Sequence, residues 1–220
     1  MAEAAASPNR IAGIVSMTSA AAAIVLLANH PNPGPVHGFA DILKAEAADR
    51  IIGGIVHGGF IVVLAVQLAC YAILNMRYRD RASATAALTL FAVGVAFQSA
   101  SLVLDGLVIP TIAMRYLAAP AKLEYAKALF VLLGTIVSFI MPIGLMFQAA
   151  GIAFWGWTLT ASGSRTIGLI ALLLGSLLLA ALIVGFLMMN PIILMIAIAG
   201  TAAWAVIAGL TLFRGATVKD

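Results

Sequence analysis

Residues 51–75 read IIGGIVHGGFIVVLAVQLACYAILN, flanked by Arg50 and Arg77. The stretch holds no Asp, Glu, Lys, Arg or Pro. As a helix at about 1.5 Å per residue it rises ~37 Å, enough to cross a hydrocarbon core of ~30 Å with some tilt. Within it Gly53, His57, Phe60, Leu64, Gln67 and Tyr71 follow one another at alternating steps of four and three. Such spacing lays them along one seam of a helix, so one face carries the polar groups and the rest is uniformly apolar.

Five more apolar stretches surround this one. With it they predict membrane spans at 11–29, 51–75, 84–109, 128–159, 166–190 and 192–213. Pro110 is expected to close the third span. Asn190-Pro191 is expected to turn the chain between the last two. The fold class expected is therefore all-α, a single integral-membrane domain of about six transmembrane helices. Composition agrees: 64% of residues are hydrophobic and 9% charged, against about 45–50% and 25% in soluble domains. Twenty Lys, Arg, Asp and Glu side chains cannot cover a soluble surface for 220 residues without large apolar patches. A soluble enzyme, a nucleic-acid binder and a disulfide scaffold are excluded. The single cysteine, Cys70, reads as a small hydrophobe inside a span.

The connections carry the charge. With both termini inside, seven Lys and Arg fall on the cytoplasmic side and five outside, and the densest cluster is the short Arg77-Tyr78-Arg79-Asp80-Arg81 loop. Positive residues in short loops mark the cytoplasmic face, so cytoplasmic termini and a bacterial inner-membrane location are expected. The first span has the short positive start of a cleaved signal peptide, but its length and the lack of a small-x-small site favour retention. The outer loop 30–50 opens with three alternating prolines, Pro31, Pro33 and Pro35. It then places Phe39, Ile42 and Leu43 opposite Asp41, Lys44 and Asp49, the pattern of a short interfacial helix. The second outer loop, 111–127, holds Pro120 at a plausible helix start. Trp155, Trp157 and Tyr78 fall at borders where an aromatic belt is expected. Gly54 and Gly58 form a Gly-x-x-x-Gly step suited to close helix packing.

Two places carry a likeness to known sequences: Arg10-Ile11-Ala12-Gly13-Ile14 before the first span, and Gly156-Trp157 followed by Ser162-Gly163-Ser164-Arg165-Thr166-Ile167-Gly168 between spans four and five. The layout resembles an uncharacterised bacterial family of small six-span integral membrane proteins, a domain of unknown function. Ser164 stands where that family tends to show Pro. The resemblance implies a topology and no established activity.

Polar groups inside a span are costly, and their positions are the most informative functional signal. Span three repeats the seam with Gly94, Gln98, Ser101 and Asp105, and span four with Gly134, Ser138, Met141, Leu145 and Gln148. These seams are expected to face each other, with spans five and six as a flank. His57 lies about 10 Å below Arg50 and Asp105 about 8 Å from Pro110, at a shared depth. Of the charged residues only Asp105 falls inside a span, and His30 and His37 lie on the same side.

Three readings of this convergence are open. In the first, Asp105 pairs structurally with His57, Arg50 or Arg115. In the second, His57 and Asp105, with neutral partners Gln98, Ser101 and Ser138, line an outward-facing pocket between spans two, three and four. That pocket would bind or pass a small solute, proton or amphiphile. In the third, His30, His37, His57 and Asp105 hold a metal or haem in a membrane enzyme or redox subunit, although none of the usual metal-ligand spacings is present. The first is the commonest way to tolerate such a carboxylate; among functional readings the second is preferred, with no cofactor required. The lipid bilayer is the expected partner, nucleic acid is not, and the apolar flank leaves room for a homo-oligomer or a larger membrane complex, in which the chain would be an accessory subunit.

Overall fold

A computed structural model of the chain describes residues 7–31, 37–188 and 191–215. Pro33 and Pro35, and the Asn190 end of the turn before the last span, lie outside these. The described residues contain six helices long and apolar enough to cross a membrane, and no strand. Helices satisfy every backbone donor within the segment, which is what an apolar solvent demands. Large side chains such as Ile51, Ile55, Val62, Val131, Leu173 and Leu177 stand exposed on their outer faces, where lipid takes the place of water.

Helix α1 spans Pro8–Ala28. Ser7 caps it through a hydrogen bond from the Arg10 amide, and Pro8 occupies the first turn, where a missing N–H costs nothing. Asn29 closes it, its side-chain amide donating to the Val25 carbonyl at 2.8 Å. The interfacial helix is α2, Phe39–Ala48. Its Leu43 is fully buried and its Phe39 ring meets Phe130 edge-on at 5.3 Å. Only Asp49 separates it from α3, Arg50–Met76. All six residues of the α3 seam, Gly53, His57, Phe60, Leu64, Gln67 and Tyr71, are buried as the spacing predicts.

The third span does not stop at Pro110. Helix α4, Ala82–Val103, passes through a π-helical turn, Leu104–Val108, into α5, Ile109–Leu117. Pro110 has no N–H for the carbonyl four residues earlier, and a straight α-helix would press its ring against that carbonyl. The wider turn absorbs the conflict. The Ile109 amide reaches back five residues to Leu104, and the proline begins a new helix, where it is tolerated. Residues expected in an outer loop, Thr111 and Arg115 among them, are therefore helical.

A 3-10 turn, Pro120–Lys122, leads into α6, Leu123–Ala161, the longest helix. Gly163, at φ +94°, ends it. The Gly163 amide reaches Thr160 O and the Ser164 amide reaches Leu159 O, the paired bonds of a glycine-closed helix end. The last spans are α7, Arg165–Met188, and α8, Pro191–Gly215.

The six spans close into a ring in the order α3, α4, α6, α7, α8, α1 and back to α3. The last two spans are thus members of the ring rather than a flank, and α4 stands between α3 and α6. Tyr71 fills the interior between Phe91, at a ring distance of 4.7 Å, and Trp204, at 6.1 Å. Without a hydrophobic force between helices in lipid, close packing holds them together. Close approaches include Gly13 with Gly209 and Gly94 with Gly144, where an added Cβ would lie 2.6 and 2.5 Å from a facing carbonyl oxygen. The Gly54–Gly58 step is not such a contact, since nothing lies within 4 Å of a Cβ on Gly58. Trp155 is fully buried rather than placed in a belt, while Trp157 faces outward.

Candidate functional site

Four elements meet at the α2 end of the bundle. The segment just after α1 delivers His30 and Pro31, α2 delivers Ala45 and Glu46, Asp49 follows between the helices, α3 delivers Gly53 and His57, and the π turn with the start of α5 delivers Asp105, Gly106 and Pro110. Together they line a cavity of about 90 Å³. The π turn decides the chemistry here. It aims Asp105 at α3, and its Gly106 lets the His57 ring lie directly against the backbone, where any Cβ would collide with Cβ and Cγ of the histidine.

His57 is buried, and its Nε2 lies 3.1 Å from Asp105 Oδ2. The Asp105 side chain is 40% exposed, so the carboxylate has one oxygen engaged and access to the cavity. His57 Nδ1 donates to the Gly53 carbonyl at 2.7 Å, and His30 Nδ1 donates to the Pro31 carbonyl at 2.9 Å. The two imidazole rings stand edge to face, 4.9 Å between centroids. One ligand-capable atom from each of His30, His57 and Asp105 lies within 4.8 Å of the other two.

Not every residue singled out from the sequence belongs here. His37 is exposed and outside the cavity lining. Ser138 is exposed on the outer surface of α6, bonded to its own helix at Thr135 O. The outer half of α6 diverges from the interior, so only the lower part of its seam, Leu145 and Gln148, is buried. Gln98 pairs with Gln148 at 2.6 Å, deeper in the bundle. Ser101 is buried between that pair and Asp105 on the sequence of α4, with no protein partner for its hydroxyl among the described residues. Neither Arg50 nor Arg115 pairs with Asp105. The pocket is consequently enclosed by α1, α2, α3 and the π turn, not by spans two, three and four.

Comparison with known protein families, curated proteins and solved structures finds no match to this chain. The site stands on its own geometry.

Glu46 and Asp49 are the titratable lining residues that the sequence did not single out as site members. Glu46 had a signal. Phe39, Ile42, Leu43 and Glu46 fall at i, i+3, i+4 and i+7, so a carboxylate interrupts the apolar stripe of α2. Burial, then the charges of Asp105 and Asp49, push its pKa up from the ordinary 4.5, with His57 opposing. Asp49 had none, being the one residue between two helices.

Proposed function

We propose that the chain is an integral protein of the bacterial inner membrane, with cytoplasmic termini, that binds a small cation or polar solute in the cavity under α2. The observation that carries this reading is Asp105. Among the described residues it is the one carboxylate inside a span rather than in its first turn, it touches a buried histidine, and 40% of its side chain remains open to a cavity. That access leaves the carboxylate able to meet a ligand while His57 holds one of its oxygens. Two further carboxylates and a second histidine on the same lining add to the argument.

Size narrows the occupant. Pockets for drug-sized ligands run to about 300–1,000 Å³, so 90 Å³ favours a few waters or an ion over an amphiphile or a haem. Binding is favoured over passage, because the α3 face below His57 continues as Phe60 and Leu64, both buried and apolar. A thermal-shift panel of inorganic cations and small polar solutes, run on purified wild type and Asp105→Asn, tests the reading. At least one compound should stabilise the wild type and not the variant, since a ligand at about 100 times its Kd adds ~2.7 kcal/mol. A panel in which the two proteins respond alike would sink it.

A further inference from the structure

The identity of the occupant follows from the histidine hydrogen bonds, and it rests on the cavity reading above. A carbonyl oxygen can only accept. Because His30 Nδ1 faces Pro31 O and His57 Nδ1 faces Gly53 O, each Nδ1 carries the ring proton. In the neutral rings both Nε2 atoms then present lone pairs. The His57 lone pair points at Asp105 Oδ2, 3.1 Å away, so two acceptors face each other. Either a second ring proton, which makes the pair an imidazolium and a carboxylate, or a bound cation answers those two acceptors.

We propose that His30, His57 and Asp105 bind one divalent transition-metal cation of the zinc class. Two imidazoles and one carboxylate form a donor set suited to such metals, whereas Ca²⁺ and Mg²⁺ call for six or more oxygens. A carbonyl that fixes the far nitrogen of each ring is the outer support that metal-bound histidines regularly have. The spacing is also near what is needed. Ligands at 2.0–2.2 Å around a tetrahedral ion lie about 3.4 Å apart. The 3.1 Å pair is already there, and the 4.8 Å limit of the group closes by a shift of the exposed segment after α1 that carries His30 and Pro31 together. The cavity has room for about three waters at ~30 Å³ each, which leaves the fourth position to a water or solute. Glu46 and Asp49 supply negative charge around the ion without being required as ligands.

The test uses the full chain purified in detergent, with any affinity tag removed, stripped by chelator and titrated with Co²⁺. One Co²⁺ per chain should bind with the visible absorption of a four-coordinate site. Zn²⁺ should displace it, and Mg²⁺ or Ca²⁺ should not. His30→Ala alters an exposed residue outside the span packing, so its folding is secure. It should weaken Co²⁺ binding at least tenfold, as should Asp105→Asn, while His37→Ala leaves binding unchanged. Absence of the Co²⁺ band, or binding undiminished in both His30→Ala and Asp105→Asn, overturns the proposal. If no metal binds while a non-metal solute still stabilises the wild type and not Asp105→Asn, the cavity reading stands and only the metal assignment falls.

Discussion

Two of the polar side-chain pairs that bridge spans, Gln98 with Gln148 and His57 with Asp105, are built on opposite plans. Gln98 and Gln148 meet at 2.6 Å with relative exposures of 3% and 0%. Around them α4 and α6 approach so closely that Gly94 and Gly144 touch backbone to backbone. His57 and Asp105 meet at 3.1 Å beside a cavity, against a helix that has widened into a π turn. The first pair is neutral and sealed. The second is titratable and left accessible. The difference teaches how to read polar groups in a membrane bundle: the sealed pair fixes how helices dock, and the open one is available to a ligand.

The comparison breaks most sharply at the glycines. Gly94→Leu should cost about 3 kcal/mol or prevent folding, because the side chain has no space against Gly144 and Gln148. Gly58→Leu, with nothing in its way, should change the denaturation midpoint little. Next comes the sealed pair itself. Gln148→Leu leaves Gln98 buried without its partner and should cost about 1–2 kcal/mol, whereas the double Gln98→Leu/Gln148→Leu variant should recover most of that loss. Reversible denaturation of the three proteins decides it, and a double variant worse than the single would show that the amides serve another purpose. Asp105→Asn should behave in the opposite manner, costing less than about 1 kcal/mol of stability yet removing the binding on which the site is argued. A large stability loss with binding intact would place the two pairs in one class.

The smallest effect is a slope with pH. Glu46 has a folded-state pKa above its ordinary 4.5, from burial and from Asp105 and Asp49, with His57 opposing. Between the two values the folded protein holds a proton that the unfolded chain has released. The contribution of Glu46 to stability is therefore full below 4.5 and is lost as pH rises through the raised value. Thermal midpoints measured upward from pH 4.5 should fall faster for the wild type than for Glu46→Gln. Parallel curves would mean that Glu46 is solvated like any surface carboxylate.

The span pattern was legible because lipid imposes a simple rule on composition, and the α3 seam because a 3–4 repeat maps directly onto one buried face. His57 and Asp105 could be brought to one depth by counting residues from Arg50 and Pro110. What could not be read were rotations about helix axes. Ser138 shares a helical seam with Gln148, yet one faces lipid and the other the interior, because α6 leaves the bundle part-way along its length. The π turn was hidden for a related reason. Proline marks a conflict with the α-helix, and sequence alone does not say whether the chain answers by stopping or by widening one turn. The contribution of α2 depended on where an interfacial helix folds back over the site, and no local rule fixes that.

Closure of the ring has a consequence in time. Ser16 on the first span donates to the carbonyl of Ala205 on the last at 2.7 Å, across 189 residues of chain. During synthesis at about 5–20 residues per second, the first span waits roughly 10–40 s before its permanent neighbour exists. For that interval Gly13, Ser16 and Ala20 present a small-residue face and an unmatched hydroxyl to whatever the insertion machinery and the bilayer offer. The earliest helix made is thus among the last to be fully packed, and assembly of the whole bundle is gated by the arrival of α8.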